Sequence, residues 1–142
     1  MLGSSLLGEC SVSSESFTIL VVDDEPAVLG LITDILRPRG YRMLSAHDPA
    51  LALELCKQYS GPIHLLITDV LMPHMNGREL ASQALVYRKE MRVIFISGYE
   101  NGVLTEGSGL NDDIAFLQKP FKPATLLQTV GRVLGSTAAR QG

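Results

Sequence analysis

Residues 18–25 read Thr-Ile-Leu-Val-Val-Asp-Asp-Glu, a short run of branched side chains that ends in three acidic residues. The run is too short for a helix and favours a strand. Because it does not alternate apolar with polar residues, we expect both faces of the strand to be covered, as in a parallel sheet between helical layers. The stretch therefore predicts the centre of an α/β fold, with carboxylates at the end of a strand.

Four further runs have strand character. The runs at residues 65–67, 93–96 and 114–117 are rich in branched or aromatic side chains, like the first. The run at residues 41–45 is more polar and suits a strand at the edge of the sheet. Together the five runs predict a five-stranded sheet.

The segments between these runs favour helices. Apolar residues recur at helical spacing after the first run, at Val28, Leu31, Ile32, Ile35 and Leu36. The pattern ends at residues 37–40, where proline and glycine interrupt it. Further helices are predicted after residues 48–49, a cap followed by proline, and after Gly77 and Pro123. A fourth helix in the glycine-containing segment 99–111 is weakly predicted. A β-α unit repeated five times predicts a doubly wound α/β sandwich.

The length and composition predict one folded domain. The chain has 142 residues, of which 46% are hydrophobic and 19% charged, as in ordinary globular proteins. Residues 1–16 are rich in serine, and we interpret them as a disordered leader or linker. Residues 135–142 are small and polar and are expected to form a flexible tail. The folded unit is therefore expected to span residues 17–134.

The charge balance and the apolar pattern disfavour several classes of protein. A net charge of -3 gives no basic patch for nucleic acid. No apolar stretch approaches the ~20 residues of a membrane helix, and there is no signal peptide, so we expect a cytoplasmic domain without membrane contact. Cys10 and Cys56 form neither a disulfide framework nor a metal knuckle, and we interpret both as reduced.

Polar residues follow the predicted strands, and they are Asp23, Asp24, Asp69, Ser97 and Lys119. The carboxyl ends of parallel strands share one edge of a sheet, so these side chains are expected to converge there. Three carboxylates that lie close together repel one another unless a cation is supplied. Oxygen ligands without histidine or cysteine suit a hard ion, for which we choose Mg²⁺, with Mn²⁺ as the alternative. Ser97 and Lys119 would hold a phosphoryl anion beside the metal.

In their order and spacing these residues resemble the receiver domains of two-component response regulators. The resemblance covers residues 17–134 and is carried by four motifs. They are Asp23-Asp24, Asp69-Val70-Leu71-Met72-Pro73 with Gly77 beyond it, Ile96-Ser97-Gly98, and Lys119-Pro120-Phe121. The resemblance implies a flavodoxin-like, doubly wound sheet of five parallel strands in the order 2-1-3-4-5, with helices on both faces. It also implies a cis peptide bond between Lys119 and Pro120.

The resemblance also implies a role for each site residue. Asp69 would be the phosphoacceptor. The metal ligands would be Asp23, Asp24, Asp69 and the backbone carbonyl of Leu71, with Asp24 the more direct ligand of the acidic pair. Lys119 would neutralise charge on the phosphoryl group.

The resemblance further implies a conformational switch and a set of partners. Ser97 would be drawn towards the phosphoryl group, and the ring of Phe116, three residues before the lysine, would respond. The moving surface would comprise the fourth predicted helix, the fifth strand and the fifth helix. A histidine kinase or histidine phosphotransfer domain would donate the phosphoryl group, and a downstream protein would bind the moving surface.

Several interpretations of the whole protein remain open from the sequence. The motifs at Asp69 and Ser97 are most similar to receivers attached to hybrid sensor histidine kinases, and a stand-alone regulator is the alternative. Such a receiver catalyses its own phosphoryl transfer and dephosphorylation, which leaves its status as an enzyme open. An aspartate-dependent phosphohydrolase is disfavoured because Leu71 occupies the place of the second catalytic carboxylate. A pseudo-receiver that docks partners without phosphorylation is disfavoured because all five polar residues are retained.

Overall fold

A five-stranded parallel sheet forms the centre of the computed structural model, which describes residues 17–72, 75–98 and 114–141. The strands are β1 (Thr18–Val22), β2 (Arg42–Ala46), β3 (Leu65–Asp69), β4 (Arg92–Ser97) and β5 (Ile114–Gln118). Their order across the sheet is β2-β1-β3-β4-β5, and every neighbouring pair is parallel. The predicted fold class and the predicted strand order 2-1-3-4-5 are confirmed.

The burial of the strands follows from their sequence. All residues of β1, β3 and β4 are buried, whereas β2 at the edge of the sheet is mostly exposed or half-buried. Continuous branched runs can be buried on both faces without leaving polar side chains unsatisfied, which explains why they occupy the centre. The more polar run was correctly predicted to be an edge strand.

Within the described residues, four α-helices cover the two faces of the sheet. They are α1 (Pro26–Leu36), α2 (Pro49–Gln58), α3 (Gly77–Tyr87) and α4 (Pro123–Gln141). Helix α2 begins as predicted, because the Asp48 carboxylate accepts a hydrogen bond from the Leu51 amide at 2.8 Å. Helix α3 begins with a capping box, in which Asn76 and Glu79 each accept a hydrogen bond from the other's backbone amide.

Two apolar cores lie on opposite faces of the sheet. One contains residues of α1 and α4, among them Leu36 and Leu126, packed against the strands. The other contains residues of α2 and α3, among them Cys56 and Leu80. The carboxyl ends of the parallel strands share one edge of this sheet, so the residues that end or follow the strands can form a site there.

The carboxyl ends of α1 and α4 can be compared with the ends that the sequence pattern predicts. After α1, a 3-10 turn at Arg37–Arg39 leads to Gly40, whose φ of 95° is a left-handed conformation that favours glycine. Helix α4 does not end near Leu134 as the pattern predicts but continues to Gln141. The alanines and arginine of that segment are good helix formers, which explains the extension.

Some predictions lie outside the described residues. These are the leader at residues 1–16, including Cys10, and the weak fourth helix at residues 99–111. Cys56 is buried and free, as predicted. In the part of the chain that the structure describes, no helix has the length and apolar character needed to cross a membrane.

Candidate functional site

The strand register brings the predicted site residues to one edge of the sheet. Val22 of β1 pairs with Thr68 of β3, so Asp23 and Asp69 follow side by side. Asp69 pairs in turn with Ile96 of β4, directly before Ser97. Because Ser97 pairs with Gln118 of β5, Lys119 follows at the same edge.

Three carboxylates form an acidic cluster at this edge. Oxygen atoms of Asp23, Asp24 and Asp69 lie within 4.8 Å of one another. Asp23 is 1% exposed and Asp69 is 8% exposed, whereas Asp24 faces solvent. The cluster therefore has two oxygen donors anchored in the protein and one that water can reach, an arrangement of ligands suited to a hard divalent cation.

Asp23 is a buried acid, and its neighbours offset only part of the cost of burying its negative charge. Its Oδ1 accepts a hydrogen bond from the Glu25 amide at 2.9 Å. Burial raises the pKa of Asp23 from 3.8 to about 6, and the negative charge of Asp69 adds to the rise, although the Glu25 amide and Lys119 oppose it. A cation bound at this position would favour the ionised form of Asp23.

Lys119 lies between the carboxylates. Its Nζ is 3.2 Å from Oδ2 of Asp69, 3.4 Å from Oδ2 of Asp23 and 3.9 Å from Oε1 of Glu25. Burial alone would lower the pKa of Lys119, but the charges and hydrogen bonds of Asp23 and Asp69 raise it above its usual value. Lys119 is therefore an ammonium group held beside Asp69. The peptide bond to Pro120 is cis, as the resemblance implies.

The backbone around Asp69 is tightly enclosed. The Leu71 amide donates a hydrogen bond to Oδ1 of Asp69 at 3.3 Å, and the Thr68 hydroxyl donates one to the Asp69 carbonyl at 3.0 Å. At Gly77, a Cβ atom would lie 2.3 Å from that same carbonyl oxygen, which is a severe clash. Glycine is required here because the start of α3 approaches the backbone of Asp69 so closely.

Ser97 is a buried hydroxyl with an unmet hydrogen-bonding capacity. The residue is 1% exposed, and its Oγ has no hydrogen-bond partner among the described residues. Buried hydroxyls are normally paired, and leaving one unpaired costs about 1–3 kcal/mol. The Ser97 hydroxyl is therefore free to donate to an oxygen atom that enters the site.

The comparisons with known proteins agree with this geometry. The family model for the response regulator receiver domain matches residues 19–131. The chain belongs to the response regulator receiver family. The prediction of a receiver domain of two-component phosphorelays is thereby confirmed, and such domains interact with histidine kinases or phosphotransfer partners.

Relatives of this receiver domain occur in proteins of very different length. The sensor kinase CckA of Brucella abortus is 32% identical over 85% of this chain, which spans 13% of that kinase. The receiver protein CpdR of the same organism is 29% identical over 82% of this chain, and there the chain spans 95% of the relative. The response regulator GtcR of Aneurinibacillus migulanus is 33% identical, and the chain spans 46% of its length.

Solved structures show the same fold. The receiver domain of the hybrid histidine kinase CckA has a TM-score of 0.70 and 39% identity, with 82% of this chain and 98% of that chain covered. A CheY-like receiver domain protein from Methanospirillum hungatei has a TM-score of 0.74 and 29% identity, with 89% and 98% covered. The similarity to the receiver of a hybrid kinase agrees with the prediction from the motifs.

The remaining predicted residues of the receiver domain surround the acidic cluster. Leu71 is 54% exposed, while its amide lies against Asp69. Phe116 of β5 is half-buried and stacks on Phe95 of β4, with ring centroids 5.5 Å apart and an angle of 25° between the planes.

Two residues that lie near the site were not predicted from the sequence to do so. Glu25 reaches towards Lys119, and the acidic run at residues 23–25 was a signal that could have drawn attention to it. Arg78 of α3 lies over the stacked rings of Phe95 and Phe116. No local pattern indicates this contact, because the three residues come from three separate elements.

Proposed function

We propose that this receiver domain accepts a phosphoryl group on Asp69 from a phosphohistidine. One observation carries the proposal: the two carboxylate oxygens of Asp69 are oriented by different donors, Oδ2 by the Lys119 ammonium and Oδ1 by the Leu71 amide. The carboxylate is thus fixed at the edge of the sheet next to a positive charge. A weak nucleophile held in this way can react with an electrophile that binds beside it.

A divalent metal ion is part of the proposed site. Asp23, Asp24 and Asp69 fit Mg²⁺, with Mn²⁺ as the alternative, because their oxygens are close together and the buried Asp23 lacks enough positive charge nearby. The backbone carbonyl of Leu71 would be a further ligand. When bound, the ion would neutralise oxygens of the phosphoryl group and help to align it.

The transfer is a displacement at phosphorus. An oxygen of Asp69 forms a bond to the phosphorus while the bond from phosphorus to the histidine nitrogen breaks, and the released imidazole takes up a proton. Lys119 offsets the negative charge of the phosphoryl oxygens, and the Ser97 hydroxyl donates a hydrogen bond to one of them. Water later cleaves the acyl phosphate and restores the Asp69 carboxylate.

The same residues support the proposed switch. The Ser97 hydroxyl has no hydrogen-bond partner within residues 17–72, 75–98 and 114–141, so a phosphoryl oxygen would give it one and draw the end of β4 towards Asp69. Phe116 lies on the neighbouring strand and is the residue proposed to change its ring position. The output surface would comprise segment 99–111, β5 and α4, where a downstream protein would bind.

An apolar groove beside Lys119 favours a protein as the phosphodonor. The groove has a volume of about 460 Å³ and is lined by Glu25, Val28, Leu31, Gly98, Lys119, Pro120 and Phe121. Leu31 is 48% exposed, which leaves an apolar side chain for a partner to cover. The groove therefore supports a histidine kinase or a histidine phosphotransfer domain as the donor.

The similarity to the CckA receiver supports a place within a hybrid sensor histidine kinase, with a stand-alone regulator as the alternative. In either case we propose a cytoplasmic receiver unit at residues 17–134 that binds neither nucleic acid nor membrane directly. A phosphohydrolase is disfavoured, because Leu71 supplies no second carboxylate.

The proposal is tested by measuring the intact mass of the protein after incubation with a small phosphodonor and Mg²⁺. We expect the wild type to gain one phosphoryl group and Asp69→Asn to gain none. Asp34→Asn is the matched control, because Asp34 is an exposed aspartate on α1 and should leave the modification unchanged. A chelator should prevent the gain in mass.

Three other results would contradict the proposal. Modification of Asp69→Asn would place the phosphoryl group on another residue. Many cycles of phosphate release from a small ester would indicate a hydrolase. Beryllofluoride with Mg²⁺ that produced no NMR shifts around Asp69 and Ser97 would indicate a pseudo-receiver.

A further inference from the structure

The rings of Phe95 and Phe116 form a stacked pair between two paired strands. Phe95 of β4 and Phe116 of β5 are direct partners in the parallel register. Phe95 is 5% exposed and so fixes one side of the pair, whereas Phe116 is half-buried. A phenylalanine ring cannot be held by a hydrogen bond of its own, so the position of Phe116 depends on what packs against it.

The guanidinium of Arg78 lies over both rings. Its Cζ is 5.8 Å from the centroid of Phe95 and 6.0 Å from the centroid of Phe116. These distances are within the ~6 Å range at which a cation is attracted to the face of an aromatic ring. Arg78 forms no ion pair with any residue of the described ranges, so the two rings are its electrostatic partners there.

The place of Arg78 in α3 makes this contact informative. Arg78 is the second residue of the helix, where a positive charge is disfavoured by the helix dipole. A cation at this position is therefore not explained by the helix itself. The Phe95 and Phe116 rings attract the Arg78 guanidinium, whereas the amino end of the helix repels it.

Arg78 is also connected to the backbone of Asp69. It follows Gly77, whose amide donates a hydrogen bond to the Val70 carbonyl at 2.8 Å and where a Cβ atom would clash with the Asp69 carbonyl. On the other side, Phe116 precedes Lys119 by three residues, and Lys119 contacts the Asp69 carboxylate. The aromatic pair is thus linked to the acceptor through α3 and through β5.

We propose that Arg78 is a positioning residue that holds the Phe116 ring against Phe95 and stabilises the resting state of the receiver. This inference rests on the proposed function of Asp69 and Phe116. A contact that stabilises only the resting state opposes the binding of a phosphoryl group, because the two are linked through the same equilibrium. Removal of the guanidinium should therefore make a phosphoryl mimic bind more tightly, by roughly 2- to 5-fold.

The test is a titration with beryllofluoride and Mg²⁺, followed by NMR of the Phe116 ring signals. Arg78→Ala should shift the ring signals before any mimic is added and should then bind the mimic roughly 2- to 5-fold more tightly than the wild type. Arg78→Lys keeps a cation and should restore an affinity close to that of the wild type.

Lys57→Ala is the matched control. Lys57 lies 5.5 Å from the centroid of Tyr87, a cation and ring contact between α2 and α3. Lys57→Ala removes a cation–ring contact of the same kind and should change neither the Phe116 signals nor the affinity for the mimic. An equal response in both variants would show a general loss of stability and would overturn the inference.

The remaining outcomes separate the inference from the proposed function. If the wild type binds the mimic and Arg78→Ala binds it with equal or lower affinity, the inference is wrong while the function of Asp69 stands. If the wild type binds no mimic, the proposed function fails and the switch role of Arg78 falls with it. Unchanged ring signals in Arg78→Ala would overturn the positioning role independently of any binding.

Discussion

The polar groups at the two ends of the sheet differ in how completely they are hydrogen-bonded and charge-balanced. At the carboxyl edge, the Ser97 hydroxyl has no hydrogen-bond partner in the part of the chain that the structure describes, and Asp23 is a buried carboxyl with a raised pKa. At the amino edge, the side chain of Arg88 donates to the carbonyls of Cys56, Gly61 and Tyr59 at 2.9, 2.7 and 2.6 Å. One end leaves hydrogen-bonding and charge demands unmet, and the other satisfies them.

The carboxyl edge is therefore suited to binding a ligand, whereas the amino edge contributes to the stability of the fold. Unmet polar groups are costly in the folded protein, and they are retained where a ligand can satisfy them. Paired polar groups contribute to stability and offer nothing to a ligand. Substitutions at the two ends should therefore change the free energy of unfolding in opposite directions.

The largest effect is expected at Arg88, the residue that caps α3. Arg88→Ala should lower the free energy of unfolding by about 2–4 kcal/mol, because three carbonyls near the end of α2 lose a charged donor. Urea unfolding measures this change. Lys89→Ala, an exposed neighbour, should change stability by less than about 0.5 kcal/mol. A loss of similar size in both variants would show that the three hydrogen bonds are not the cause.

A smaller effect of opposite sign is expected at Asp23. Its pKa of about 6 in the fold exceeds the value of 3.8 for an unperturbed side chain, so the folded state holds the proton more tightly. The free energy of unfolding should therefore fall as the pH rises from about 4 to about 6. In the presence of a chelator at pH 7, Asp23→Asn should raise it by about 1–3 kcal/mol.

Urea unfolding at two pH values checks this second prediction. The gain from Asp23→Asn should shrink near pH 4, where the folded wild type is protonated at Asp23 and the unfolded chain begins to be protonated there too. Asp34→Asn serves as the control, since Asp34 lies on the exposed side of α1. If Asp23→Asn destabilises the metal-free protein at pH 7, then the Glu25 amide and Lys119 stabilise the ionised Asp23 carboxylate more than its raised pKa indicates.

The smallest effect is expected at His64, at the amino edge. Its Nδ1 accepts a hydrogen bond from the Thr18 amide at 2.9 Å, and burial lowers its pKa below 6.5. As the pH falls, His64 is therefore protonated in the unfolded chain before it is protonated in the folded protein. The free energy of unfolding should fall as the pH drops below about 6.5. This slope is opposite in sign to that of Asp23. Urea titrations from pH 7.5 to pH 5.5 should show it in Asp23→Asn, which removes the opposing slope of Asp23, and show it reduced when His64→Asn is added to that variant.

Much of the fold could be predicted from short stretches of sequence. The continuous branched run of β1 predicted a strand buried on both faces, and the cap and proline at residues 48–49 predicted the start of α2. The convergence of the site side chains at one edge could be predicted for the same reason, because Asp23 and Lys119 directly follow a strand and Asp69 ends one. The spacing of the motifs then indicated the family. Local pattern was misleading at α4, where a helix continues through a segment predicted to be a tail.

Other features depend on pairs of residues that are distant in the chain. The contact between Lys119 and Asp69 spans 50 residues, and the contacts of Arg88 with the end of α2 span 27 to 32 residues. Gly77 occurs in a motif of the family, but the reason for glycine appears only where α3 meets the backbone of Asp69.

The sequence by itself determined which segments are strands or helices and which polar residues end the strands. These properties depend on the side-chain pattern within a few residues, so they can be recognised without knowing the neighbours. Only the tertiary structure decided that the Ser97 hydroxyl lacks a partner among the described residues, that the Arg88 side chain has three and that Arg78 lies over Phe116. Hydrogen bonding and desolvation depend on which remote atoms the sheet register and helix packing bring within a few ångströms of one another.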